Sequence, residues 1–143
     1  MSRAVQKERF APIDSLVPLA EAARQVVERL RTEGAAPSVH FFSEGAPEAF
    51  RAFTLRVAAT TLHVNATAQA TLDALSRCDG LLGNRSNFFL LAAHLCDRCV
   101  VAAPLPHPGF APVSGRVPAH HRLVPIDPFN ASAFVEGWAQ LHR

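Results

Sequence analysis

The sequence predicts an α/β fold: a mostly parallel sheet with helices on both faces, in a single domain. Three observations predict it. Segments with helical apolar spacing alternate with short apolar runs of strand length from residue 14 to residue 143, and such alternation marks parallel strands joined by helical crossovers. Residues 78–104, CDGLLGNRSNFFLLAAHLCDRCVVAAP, contain one complete strand–turn–helix–strand unit. The chain has 143 residues, 49% hydrophobic and 18% charged, enough apolar material for one core and too much for a disordered chain.

The elements follow in order. Residues 1–13 carry no period and are expected to be irregular, ahead of a domain spanning 14–143. Asp14 or Ser15 can cap a helix whose apolar face is Leu16, Leu19, Ala20, Ala23, Val26, Val27 and Leu30, and Gly34 ends it. Val39-His40-Phe41-Phe42 reads as a buried strand that stops at Ser43-Glu44-Gly45. Pro47–Phe53 fits a short helix with proline in its first turn. Thr54–Val57 or Thr61–Val64 supplies the next strand. Thr67 or Thr71 starts a helix bearing Ala70, Leu72, Ala74 and Leu75.

Next come a strand at Gly80–Leu82, a nearly all-apolar helix at Phe88–Leu95 and a strand within Cys99–Ala103. Residues 104–120 hold five of the eleven prolines and two of the seven glycines, which predicts a long loop. Leu123–Ile126 is a last strand, and Asp127-Pro128 or Asn130 caps a final helix with Phe134, Val135, Trp138 and Leu141 on one face. The order α-β-α-β-α-β-α-β-β-α is Rossmann-like.

Composition removes several function classes. Thirteen scattered arginines, one lysine and a net charge of +2 do not make a nucleic-acid-binding stripe. No run approaches the ~18 apolar residues of a membrane span, and MSRAVQKERF lacks the apolar core of a signal peptide. The compartment stays open. Cys78, Cys96 and Cys99 are an odd count with no disulfide framework. Cys96-Asp97-Arg98-Cys99 has a CxxC spacing but closes a helix, whereas redox motifs open one, and no second pair completes a zinc site. His107, His120 and His121 have no ligand spacing, so no metal is expected. There is no Gly-x-Ser-x-Gly elbow, GxGxxG or P-loop.

One candidate site remains. Gly83-Asn84-Arg85-Ser86-Asn87 follows a strand and opens a helix. In open α/β sheets ligands sit at the carboxyl ends of strands, and a helix N-terminus offers free N–H groups to an anion. Arg85 with Asn84, Ser86 and Asn87 can therefore cradle a phosphate or diphosphate. The same residues are also good helix caps, which gives the turn a purely structural reading.

Two segments together resemble a family. VHFFSEGAPEAF and, about twenty residues on, LHVNATAQATLDALSRCDGLLGNRSNFFLLAAHL are similar to the C-terminal half of GT-B glycosyltransferases, in particular the fucosyltransferase-like group. The matching parts are Ser43-Glu44-Gly45, Arg77–Leu82 and Asn84-Arg85-Ser86-Asn87-Phe88, within roughly residues 14–104. The resemblance implies half of a GT-B fold that binds a nucleotide-diphosphate sugar as donor, GDP-fucose in the first place, without a cofactor. It implies a donor site of Ser43, Glu44, Gly45, Asn84, Arg85, Ser86, Asn87 and Phe88, with His40 or Asp79 nearby.

The family's His-x-Arg-x-Gly-Asp-type motif and its acceptor-binding half do not occur in this sequence. Catalysis by the chain alone is therefore not expected, and a missing N-terminal half or a protein partner is implied. The alternative is a non-catalytic α/β interaction domain, or a degenerate fragment.

Overall fold

The computed structural model describes residues 16–57, 60–83, 87–96, 98–104 and 122–142. The expected irregular start, the caps at Asp14 or Ser15 and nearly all of the proline-rich loop lie outside them.

Helix α1 (Leu16–Thr32) buries Ala20, Ala22, Ala23, Val26, Val27 and Leu30. Three alanines in this face let its backbone approach the sheet closely, and Val26, Val27 and Leu30 then fill the space beyond. Gly34, at φ 85°, closes the helix. The Ala35 N–H reaches the Leu30 carbonyl at 2.9 Å and the Gly34 N–H reaches Arg31 at 3.0 Å, the paired bonds of a glycine-terminated helix.

Strand β1 (Val39–Ser43) is followed by a 3-10 turn, Pro47–Phe50, that runs into helix α2 (Arg51–Arg56). Phe50 and Phe53 from this pair pack on Phe41, with ring centroids 5.3 and 4.5 Å away. That packing explains why Thr54–Val57 is not a strand. Its β-branched Thr54 and Val57 favour extended backbone, but α2 turns Phe53 into the core beside Phe41. The strand is the other alternative, β2 (Thr60–Val64), parallel to β1 in the register His40↔Thr61 and Phe42↔His63.

Helix α3 (Ala68–Ser76) starts at the expected Thr67, whose hydroxyl accepts the Ala70 N–H at 3.1 Å. It buries no residue completely, and Ala74 is exposed, so the expected apolar face is only a peripheral one. Strand β3 (Gly80–Leu82), helix α4 (Asn87–Leu95) and strand β4 (Val100–Ala103) form the expected unit. Strand β5 (Arg122–Pro125) adds a third parallel strand, giving the order β3-β4-β5. Asn130, not Asp127-Pro128, caps helix α5 (Ala131–Leu141) by accepting the Ala133 N–H at 3.0 Å.

Strand β4 shows how the layers divide. All four of its residues are buried. Val101 and Ala103 face Leu81, Phe89 and Ala93 in one cluster, while Val100 and Ala102 face Val26, Leu30, Phe134 and Val135 in another. Alternate residues of a strand point to opposite faces, so α4 covers one face and α1 with α5 the other. Helix α2 packs on the α1 side, through Phe53 with Ala20, Ala23 and Val27. Leu82 of β3 packs against both the β1–β2 cluster and the β4 cluster, joining the two small sheets. The structure is α/β, with helices on both faces of parallel strands.

One expected burial fails. Val39–Phe42 is only half-buried, because α1 and α2 cover Val39 and Phe41 while His40 on the opposite face is exposed.

Candidate functional site

The two segments expected to form the site follow the carboxyl ends of β1 and β3. At β1 the chain must turn sharply out of the strand. Gly45 does so at φ 123°, a backbone conformation that side chains rarely allow. Ser43 is half-buried and its hydroxyl donates to the Glu44 carbonyl at 3.3 Å, while Glu44 and Gly45 are exposed.

A residue that sequence reasoning did not place in the site holds this turn. Asn65, just past β2, lies at φ 61°. Its side-chain oxygen accepts the Gly45 N–H at 3.0 Å, and its amide nitrogen donates to the Gly45 carbonyl at 2.9 Å. Its own N–H donates to the Ser43 carbonyl at 2.9 Å. The amide thus pairs with Gly45 as a neighbouring strand would, and ties the ends of β1 and β2 together. The available signal was an asparagine directly after a strand, a residue type that accepts left-handed backbone.

At β3, Gly83 ends the strand with its N–H donating to the Ala102 carbonyl at 3.0 Å. A β-carbon built on Gly83 would lie 2.3 Å from the Phe89 ring. Glycine is required because the ring of Phe89, one turn into α4, lies directly against the backbone. Asn84, Arg85 and Ser86 lie outside the described residues. Asn87 is the first residue of α4, and Phe88 beside it is half-buried.

Two neighbours expected from the family resemblance are elsewhere. Asp79 immediately precedes β3, at its amino end and so roughly 13 Å of strand away from Gly83. It pairs instead with His142, whose Nε2 is 3.4 Å from the carboxylate. His40 is the second residue of β1, and its Nδ1 is 2.9 Å from Nε2 of His63.

The three cysteines belong to the apolar cluster under α4. None is in a disulfide, and Cys96 and Cys99 are buried. The Cys96 thiol beside them, followed by burial, raises the pKa of the Cys78 and Cys99 thiols well above the ordinary thiol range. They stay protonated, whereas nucleophilic attack and metal ligation need the thiolate. Among the described residues no three or more His, Cys, Asp or Glu side chains converge as a metal centre, and no helix is long and apolar enough to cross a membrane.

An open groove of about 680 Å³ runs along α3, lined by Thr67, Gln69, Leu72, Asp73 and Leu95 among others. Ser43, Glu44, Gly45 and Phe88 do not line it. It lacks cationic side chains and the enclosure typical of small-molecule sites, so the strand ends remain the better candidate.

Comparison of the chain with protein-family models, curated proteins and solved structures finds no match.

Proposed function

We propose that this chain is a donor-binding domain of the GT-B glycosyltransferase type, which holds a nucleotide-diphosphate sugar at the carboxyl ends of β1 and β3. GDP-fucose is the favoured donor, on the resemblance described above. The observation that carries the reading is the coincidence of two features. The segments that resemble the family's donor site are the same ones that follow the carboxyl ends of the parallel strands β1 and β3, the end at which ligands sit in an open α/β fold. Arg85 and the N–H groups opening α4 would bind the diphosphate, and the Asn65-pinned turn at Ser43–Gly45 would line the adjacent edge.

The chemistry suits those groups. When a glycosyl bond to a nucleoside diphosphate breaks, negative charge grows on the departing phosphate, and preorganised donors stabilise it there. No described residue is assigned as a catalytic base, and acceptor binding is left to a further domain or a partner.

The test is calorimetric titration of the purified chain with GDP, GDP-fucose, UDP and ADP, beside Arg85→Ala. Saturable binding of the guanosine nucleotides is expected. Arg85→Ala should weaken it about 10- to 100-fold, the worth of a charge-assisted hydrogen bond, with no change in thermal unfolding. Binding of none of the four would refute the proposal and leave the turn as a helix cap in an interaction domain.

A further inference from the structure

The open face of the β1–β2 pair carries three rings: His40 and Phe42 from β1 and His63 from β2. The parallel register sets Phe42 opposite His63 and His40 one step diagonal to it. Phe42 and His63 stack with centroids 4.4 Å apart and planes 8° from parallel. His40 meets the nitrogen edge of His63, with centroids 5.1 Å apart and planes inclined by 30°. The contact closes at 2.9 Å between His40 Nδ1 and His63 Nε2.

Two neutral imidazoles at that distance share one proton, and on a face open to solvent such a bond contributes little to folding, because water offers equivalent partners. The backbone ladder between β1 and β2 already sets the register. The geometry does suit another task. Metal–imidazole bonds are about 2.0–2.1 Å long, and two nitrogens 2.9 Å apart then subtend an angle of about 90° at one ion. A tetrahedral ion would need the nitrogens at about 3.3 Å, whereas tetragonal coordination, the preference of Cu(II) and Ni(II), needs the right angle seen here.

We propose that His40 and His63 form a two-histidine chelate for a tetragonal divalent transition-metal ion, Cu(II) above Ni(II) and both above Zn(II), with water in the remaining positions. Binding does not require net loss of a proton. The ring that donates the shared proton takes its other tautomer, and small ring rotations turn both lone pairs from each other to a common point. Phe42 acts as a positioning residue by restricting the His63 ring plane. The site is independent of nucleotide binding, since it lies on the sheet face and not at the turns after β1 and β3.

The test uses the full chain with His107, His120 and His121 replaced by Asn, so that the proline-rich segment supplies no imidazole. Cu(II) is titrated by calorimetry and by electron paramagnetic resonance. One ion per chain with two nitrogen ligands is expected, and His40→Asn and His63→Asn should each raise Kd about 10- to 100-fold, because one ligand removed abolishes the chelate. Phe42→Ala should weaken binding less, with the nitrogen count unchanged. Two independent imidazoles would behave otherwise: each single variant would merely halve the number of ions bound, which would overturn the proposal. Without any variant, Cu(II) added below one equivalent should broaden the His40 and His63 ring protons in NMR spectra before those of His94 and His142. Equal broadening at all four would also overturn it.

Discussion

Replacement of Asn65 tests the reasoning about the β1 turn most directly, because two separable effects meet in one exposed residue. Asn65→Ala removes both side-chain hydrogen bonds to Gly45, of 3.0 and 2.9 Å. Each contributes about 0.5–1.5 kcal/mol net, and solvent exposure puts both near the lower end. The substitution also leaves a β-carbon at φ 61° without the local hydrogen bonding that lets asparagine tolerate this region, at roughly 1 kcal/mol. The sum is a destabilisation of about 2 kcal/mol. Asn65→Gly loses the same hydrogen bonds but relieves the backbone, so it should cost about 1 kcal/mol less than Asn65→Ala.

Urea unfolding followed by circular dichroism measures both variants, read as shifts in midpoint at constant slope. If Asn65→Gly destabilises as much as Asn65→Ala, the left-handed backbone is not a source of the effect. If both unfold with the wild type, the Gly45 bonds contribute nothing. A second readout separates position from stability. Both variants should weaken guanosine-nucleotide binding at temperatures where they remain folded, because the Ser43–Gly45 edge loses its anchor to β2.

Two further outcomes follow from other contacts. Gly83→Ala drives a methyl group to within 2.3 Å of the buried Phe89 ring, and should cost about 1–3 kcal/mol in urea unfolding. Gly83→Ala combined with Phe89→Leu should recover part of that loss, and no recovery would show that the ring is not the obstacle. On α1, the carboxyl of Glu21 is held at about 2 by hydrogen bonds from Arg24 first and Gln25 second. Its folded pKa is thus below the ordinary value of 4.5, so the stabilisation is complete above about pH 4.5 and is lost as pH falls from there toward 2. NMR titration should find Glu21 protonating well below the ordinary carboxylate range, and Arg24→Ala should move it back toward that range.

Apolar spacing and capping chemistry determined most of the architecture before any coordinates. The period of Ala20, Ala23, Val27 and Leu30, the cap residues Thr67 and Asn130 and the stop at Gly34 act within a few residues of themselves, so each is visible locally. The continuous apolar run within Cys99–Ala103 likewise marked a strand. The turn after Gly83 was selected by its own residues and Ser43–Gly45 by the family resemblance, and each follows a strand.

What the sequence left open depended on partners distant along the chain. Thr54–Val57 and Thr61–Val64 were equivalent as strands until the aromatic contacts of Phe41 with Phe50 and Phe53 drew the first into a helix. The half-exposure of β1 follows from helix placement, because α1 and α2 cover one face and leave His40 on the other. Asn65 gains its role only when parallel pairing brings the end of β2 beside the end of β1, and His40 meets His63, 23 positions away, only in that register. Local hydrogen bonding and hydrophobic periodicity are properties of a segment, which the sequence alone reveals. Which strand edges meet, and which side chains then face each other, is a property of the packed whole, and only the tertiary structure decides it.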